Sequence, residues 1–302
     1  QMRKRPMGPL LKTLTGIGAS FLFEGQDGHF PFAVTGAGLL IDASDNEKKR
    51  IDVSVNINDS SQFLSALLIS LGAYAGESVI RVEGTHGMAY IDMTVRMMEQ
   101  FGIEVQSENG VYKIAKQGGY QAKKYDIEPD VSAACYFYAM AAILGVKSIV
   151  KGIHKDSMQG DIKFIYALER IGCVITDKPE GLEVDGTSAV GYEGIDIDMS
   201  DFSDQALTMA VVAAFGKTET RIRNIGHIRG QESDRVQVIV NELNRMGCAA
   251  KIVEEGGSTD VIITPGKLHG AEIETYDDHR VAMSFAMVGL IIDGVIIDNP
   301  MC

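Results

Sequence analysis

The chain has 302 residues, 45% of them hydrophobic and 23% charged, and a formal net charge of −13. That acidic balance opposes nucleic-acid or anionic-membrane binding, which needs a broad basic footprint, and no apolar window approaches the roughly 20 residues that span a bilayer. Cys135, Cys173, Cys248 and Cys302 lie far apart without C-x-x-C spacing, which argues against a zinc site or a disulfide framework and points to a reducing cytoplasm.

The chain begins with a basic run, Gln1-Met2-Arg3-Lys4-Arg5-Pro6, followed by none of the apolar sequence that a secretory signal carries. It stops at Asp298-Asn299-Pro300-Met301-Cys302, directly after a strand-like run. Both ends predict that an amino-terminal portion and a final strand lie outside this stretch. Between them, two kinds of helix recur. Ser60-Ser61-Gln62 leads into an apolar run at 63–71, Asp130-Val131-Ser132 into 133–144, Asp204-Gln205 into 206–215, and Asp278-His279-Arg280 into 281–290. A glycine and a strand-like segment follow each run, at 78–82, 148–150, 220–222 and 295–297, and the four starts recur about every 70 to 75 residues. The second kind is amphipathic and ends on Ile17-Gly18, Phe101-Gly102, Ile171-Gly172 or Met246-Gly247, with the glycine as a left-handed cap.

Each repeat therefore reads strand, amphipathic helix, strands, buried helix, strand. An almost wholly apolar helix needs cover on all sides, whereas an amphipathic one covers a single side. The expected fold class is α/β of the α+β type, with helices enclosed by sheets. Glu128 precedes Pro129 and is disfavoured from helix, so a boundary is expected near 125–130. It divides the chain into residues 1–127, holding an incomplete set of units, and residues 128–302, holding about two and a half.

Five clusters could carry chemistry. Arg5 before Pro6 suits an anion contact or a solvated basic end. In Ser60-Ser61-Gln62 one serine suffices as a helix cap, and the surplus hydrogen-bonding groups suit a phosphate at the positive helix end. Asp204 is either a cap or a site carboxylate. Residues 223–235 gather Arg223, Arg229, Arg235, His227, Glu232 and Asp234 around Gly226 and Gly230, a loop able to hold an anion and move a proton, although Ser233 and Asp234 also serve as ordinary caps. Glu232 and Arg235, three residues apart, share a helical face. Arg280 opens an apolar helix and needs a carboxylate or phosphate partner there. The chain has no Walker loop, no G-x-G-x-x-G after a strand, no G-x-S-x-G and no histidine pair at ligand spacing, which removes weight from nucleotide, metal and serine-hydrolase chemistry.

In this order along the chain, Arg5-Pro6-Met7-Gly8, Ser60-Ser61-Gln62-Phe63, Tyr90-Ile91-Asp92, Ser157-Met158-Gln159-Gly160-Asp161, Ser203-Asp204, Glu232-Ser233-Asp234-Arg235 and 276–280 closely resemble the 3-phosphoshikimate 1-carboxyvinyltransferase (5-enolpyruvylshikimate-3-phosphate synthase) family. The resemblance implies a two-lobed inside-out α/β barrel of repeated βαβαββ units. It implies transfer of the enolpyruvyl group of phosphoenolpyruvate to the 5-hydroxyl of shikimate 3-phosphate, with release of phosphate and without a cofactor or metal. Carried over by position, Asp204 accepts the hydroxyl proton and Glu232 protonates the methylene carbon. Ser60, Ser61, Gln62, Tyr90, Asp204, His227 and Gln231 bind shikimate 3-phosphate; Arg5, Gln62, Arg235 and Arg280 bind phosphoenolpyruvate; Asp278 and His279 support them. The expected protein is a cytoplasmic monomer acting on small molecules, with no nucleic-acid or membrane partner.

The chain departs from the family at Gln231, where a lysine is usual, at Gly87, where a serine is common, and at His227, often asparagine. The family's first segment, its glycine-rich phosphoenolpyruvate loop and its last active-site lysine fall outside the stretch, so the stretch alone is expected to be inactive. Two other readings compete: the related transferase acting on UDP-N-acetylglucosamine, which lacks the Ser-Ser-Gln and Asp-His-Arg pairing, and a non-catalytic binding module that keeps the fold.

Overall fold

Ile51, Val53 and Val55 alternate with Asp52 and Ser54, and in the computed structural model, which describes Arg3 and residues 5–36, 50–85 and 87–302, that alternation becomes a strand with one face in the core. Of the basic amino-terminal run, Gln1, Met2 and Lys4 lie outside the described residues. The chain divides into two compact units, Gln1–Asp126 and Ile127–Cys302. The first opens with helix α1 (Gly8–Gly16) and an antiparallel pair, β1 (Ser20–Phe23) and β2 (Phe32–Thr35). It continues through β3 (Ile51–Asn56), α2 (Gln62–Gly72), β4 (Ser78–Glu83), α3 (Met88–Gln100), β5 (Gln106–Glu108) and β6 (Val111–Ile114). The sheet runs β3-β4-β6-β5, with β3 parallel to β4 and the other pairs antiparallel. A parallel pair needs a crossover, and α2 supplies it, burying Leu64, Leu67 and Leu68 against Val55, Ile80 and Ile91.

The second unit consists of α4 (Val131–Leu144), β7 (Lys147–Lys151), α5 (Phe164–Arg170), β8 (Val174–Lys178), β9 (Gly181–Asp185), β10 (Asp196–Asp198), α6 (Ala206–Ala214), β11 (Thr220–Arg223), α7 (Arg235–Arg245), β12 (Ala249–Glu255), β13 (Ser258–Thr264), β14 (Glu272–Ile273), α8 (His279–Ala286) and β15 (Ile296–Ile297). Its sheet β10-β11-β13-β12 repeats the first unit's order strand for strand, parallel pair first. The sheet β7-β9-β8 supplies the last three places of that pattern and the parallel pair β14-β15 the first two. Gly18, Gly102, Gly172 and Gly247 have φ of 98°, 85°, 102° and 89°, the left-handed caps expected after the amphipathic helices.

Burial along the recurring apolar helices is uneven. Among the described residues, α6 is buried at every position, whereas α2 exposes Ile69, α4 Phe137 and Leu144, and α8 Met283. An apolar residue on a partly covered helix reads the same in sequence as one in the core. Among the described residues, no helix is long and apolar enough to cross a membrane.

Two glycines mark where the parallel strands begin. A Cβ on Gly194, before β10, would run into the Glu219 backbone carbonyl, and one on Gly270, before β14, into that of Asp293. Gly194→Ala should therefore lower stability by about 2 kcal/mol, as overpacking does. Urea denaturation measures it, and an unchanged midpoint would show that the strand start shifts to accommodate a methyl group.

Candidate functional site

Helix α7 starts on a cap, with the Asp234 carboxylate accepting from the Gln237 amide at 3.0 Å, and its first residue is Arg235. Arg235 has only 2% of its side chain exposed, and a guanidinium that deep must be hydrogen-bonded on every side. Its Nε donates to Asp278 Oδ2 at 2.8 Å, one Nη2 bond reaches Glu232 Oε2 at 2.7 Å and another Asp278 Oδ1 at 3.3 Å. Nη1 donates to Asp204 Oδ1 at 3.3 Å and to Gln231 Oε1. Asp278, with no exposed side-chain surface, also caps α8 by accepting from the Arg280 amide at 2.9 Å, and accepts from Ser233 Oγ at 2.9 Å. Burial alone would raise the Asp278 carboxyl, but the hydrogen bonds and charge of Arg235, with the Arg280 amide and Ser233, hold it below the usual carboxylate range.

Asp204, in a short 3₁₀ turn (Ser203–Gln205) before α6, is shared. Its Oδ2 accepts from Arg280 Nη2 at 3.0 Å, and its Oδ1 accepts from Gln231 Nε2 at 3.4 Å as well as from Arg235. His227 Nε2 lies 2.7 Å from Ser203 Oγ. The second unit thus brings Asp204, His227, Gln231, Glu232, Arg235, Asp278 and Arg280 into one cluster. His279 stands at its margin, 59% exposed, with Nδ1 3.9 Å from Asp278.

Two members escape sequence reasoning. Asp161 is buried behind Asp204, accepting from Ser132 Oγ and from Gln205 Nε2 at 3.2 Å; burial and then the Asp204 charge raise its carboxyl above the usual range. The sequence places Asp161 in a matching segment but gives no sign of its partners. Tyr136, on α4, lies close to Arg280, and burial raises its hydroxyl despite the nearby Arg280 and Arg235 charges. It sits inside an apolar run, where a functional tyrosine and a core tyrosine look alike.

In the first unit, Ser60, Ser61 and Gln62 stand at the start of α2. Ser60 Oγ accepts from the Gln62 amide at 3.3 Å, while Ser61 is buried and makes no capping bond. Gly87, at φ 65° before α3, explains one departure from the resemblance. A Cβ there would fall 2.6 Å from Ser61 Oγ and 3.5 Å from the Tyr90 ring, so in this chain Ser61, Gly87 and Tyr90 close up on one another and leave a serine no room. Arg5, half-buried, precedes α1 in the same unit.

The model of the family described as EPSP synthase (3-phosphoshikimate 1-carboxyvinyltransferase) matches residues 1–302. The chain belongs to the EPSP synthase family. Proteins named 3-phosphoshikimate 1-carboxyvinyltransferase from Nostoc punctiforme and Marinomonas sp. are 42% and 37% identical to it, over 100% of this chain and 68% of each relative. An EPSP synthase structure from Acinetobacter baumannii aligns with a TM-score of 0.76 at 26% identity, over 99% of this chain and 68% of that one.

In this EPSP synthase family member the buried Arg235–Asp278 pair makes stability depend on acid. The Asp278 carboxyl titrates lower folded than unfolded. Its contribution is therefore complete above about pH 4, the unfolded value, and is lost as pH falls through the lower folded value. Asp278→Asn should lose about 3 kcal/mol near neutral pH and flatten the decline below about pH 4. Urea midpoints across that range test this, and parallel wild-type and variant curves would refute it.

Proposed function

We propose that this protein transfers the enolpyruvyl group of phosphoenolpyruvate to the 5-hydroxyl of shikimate 3-phosphate and releases phosphate, a step of aromatic amino-acid biosynthesis. The observation that carries the reading is the meeting of Asp204, Glu232, Arg235 and Arg280 through ion pairs of 2.7 to 3.3 Å. Adding a hydroxyl across an enol double bond needs one group to take the hydroxyl proton and another to protonate the methylene carbon. Asp204 takes the first role and Glu232 the second. The new carbon–oxygen bond forms at the carbon bearing the phosphate ester. Phosphate then leaves with the proton held by Asp204, the methyl group returns one to Glu232, and the double bond is restored.

Arg5, Gln62, Arg235 and Arg280 are the groups assigned to the carboxylate and phosphate of phosphoenolpyruvate. Ser60, Ser61, Gln62, Tyr90, Asp204, His227 and Gln231 hold shikimate 3-phosphate, whose phosphate suits the positive end of α2. Asp278 supports Arg235, and His279 lies at the margin. An incoming phosphate competes with Asp204 for Arg280 and so frees the base. The reading extends to the fold, an inside-out barrel whose helices are covered by sheets, divided into a shikimate-phosphate lobe at 1–127 and a second lobe at 128–302. It extends to a monomer without a cofactor and to the cytoplasm, the last in keeping with the unbridged and buried Cys135, Cys173 and Cys248.

Phosphate release from phosphoenolpyruvate plus shikimate 3-phosphate tests the reading on the complete gene product; no turnover would sink it. Asp204→Ala should slow that release about 10³-fold, the weight of a lost general base. Gln231 bridges Arg235 and Asp204, accepting from one and donating to the other. Gln231→Lys keeps the donor, adds a cation and loses the acceptor, so it should tighten phosphoenolpyruvate binding about fivefold. An unchanged dissociation constant in calorimetry would show that the cation is supplied elsewhere.

A further inference from the structure

The loop that delivers Asp278 and Arg280 to the site is a strained turn. Tyr276 and Asp277 have φ of 55° and 56°, and the Asp278 amide donates to the Thr275 carbonyl at 2.9 Å. These are the marks of a tight turn with both central residues left-handed, a conformation normally left to Asn-Gly or Gly-Gly. A tyrosine adopts it only where its surroundings over-determine it, and such strain gathers at functional sites.

The restraint comes from α7. Glu242, fully buried and absent from the proposed chemistry, accepts from the Tyr276 hydroxyl at 2.9 Å and from the Glu274 amide at 3.3 Å, and pairs with Arg245 Nε at 3.1 Å. Asn241 Nδ2 donates to the same tyrosine oxygen at 3.2 Å. On the far side, Asn299 Nδ2 donates to Asp277 Oδ1 at 3.0 Å. Glu242 is seven residues from Arg235, two helical turns along the same buried face of α7. One helix therefore grips the turn twice, through Arg235 on Asp278 and through Glu242 on Tyr276.

We propose that the Tyr276–Glu242 hydrogen bond is a latch that keeps the left-handed turn closed, and that Tyr276 and Glu242 are positioning residues for Arg280 and Asp278. The latch sets how well Arg280 is presented to the phosphoenolpyruvate anion, and in that respect it rests on the functional reading above. If the hydroxyl is removed, the turn relaxes toward negative φ and Arg280 loses its aim. If part of the strain is also relieved, the bond matters less.

The test uses Tyr276→Phe, Asp277→Gly and the double variant of the complete gene product. Tyr276→Phe should raise KM for phosphoenolpyruvate about tenfold, the weight of one hydrogen bond to a charged acceptor, and leave KM for shikimate 3-phosphate unchanged. Asp277→Gly relieves one of the two left-handed residues and gives up the Asn299 contact; alone it should leave both KM values near wild type, and in the Tyr276→Phe background it should bring KM part of the way back, because glycine takes positive φ without strain. An unchanged KM in Tyr276→Phe, or a raised one that Asp277→Gly does not lower, overturns the latch. Amide exchange at Asp278 and Arg280, followed by NMR, reads the turn without turnover: faster in Tyr276→Phe and partly protected again in the double variant. If the wild type does not turn over, the functional reading falls and exchange alone decides the latch. Should Tyr276→Phe fold poorly, Glu242→Leu serves, since it removes the acceptor while filling the same space; exchange at the two amides should then quicken, and unchanged protection overturns the latch.

Discussion

A guanidinium with almost no exposed surface, held by a carboxylate with none, is the constraint on which the second unit's site depends. Arg235 and Asp278 have both lost their water, and neither can be left without its partner except at great expense. Meeting that demand fixes the loop before α7, the start of α8 and the turn before α6 relative to one another. The resulting group sets two guanidiniums, Arg235 and Arg280, against the carboxylates of Asp204, Glu232 and Asp278. The carboxylates outnumber the guanidiniums, so an anion entering this group would have to take over hydrogen bonds that Asp204 now receives rather than fill an empty positive pocket.

Topology explains why these residues meet. The starts of α2, α6 and α8 each follow the first strand of a parallel pair, at its carboxyl end, and the crossover helix begins there. In open α/β sheets that is where loops and positive helix ends gather around ligands. The repeat puts Ser60, Asp204 and Asp278 at equivalent places, so a single architectural unit supplies different chemistry by changing one or two residues at a helix start.

Much of this was legible in the sequence, for identifiable reasons. Arg280 opens an apolar helix, where an arginine demands an acid, and Asp204 supplies it. Glu232 and Arg235 form the pair that their three-residue spacing suggests, but Glu232 does so from the bend before α7 and not from a helical face. The glycine caps follow from local backbone preference. What stayed hidden depends on contacts between distant residues. Asp161 is paired with Ser132 and Gln205, far from it in the chain, and Tyr136 is one apolar-run residue among many. The left-handed turn at Tyr276-Asp277 carries no turn-forming residue pair, because its conformation is imposed from α7 and not chosen locally. The exposed strips of α2, α4 and α8 depend on which neighbours arrive, and hydropathy does not record that.

Behind the charged cluster runs a thread of uncharged and acidic groups: Ser132 to Asp161, Asp161 to Gln205, Gln205 to Thr208 at 3.2 Å, and Thr208 to Ser284 at 3.4 Å. It links α4, the segment before α5, α6 and α8 through the middle of the unit. For anyone redesigning this protein, the helix starts are not interchangeable modules. Asp161 is joined to Ser284 through two intermediaries, so a change of side chain at one member leaves a neighbour on another helix short of a hydrogen bond, and substitutions here should come as matched sets.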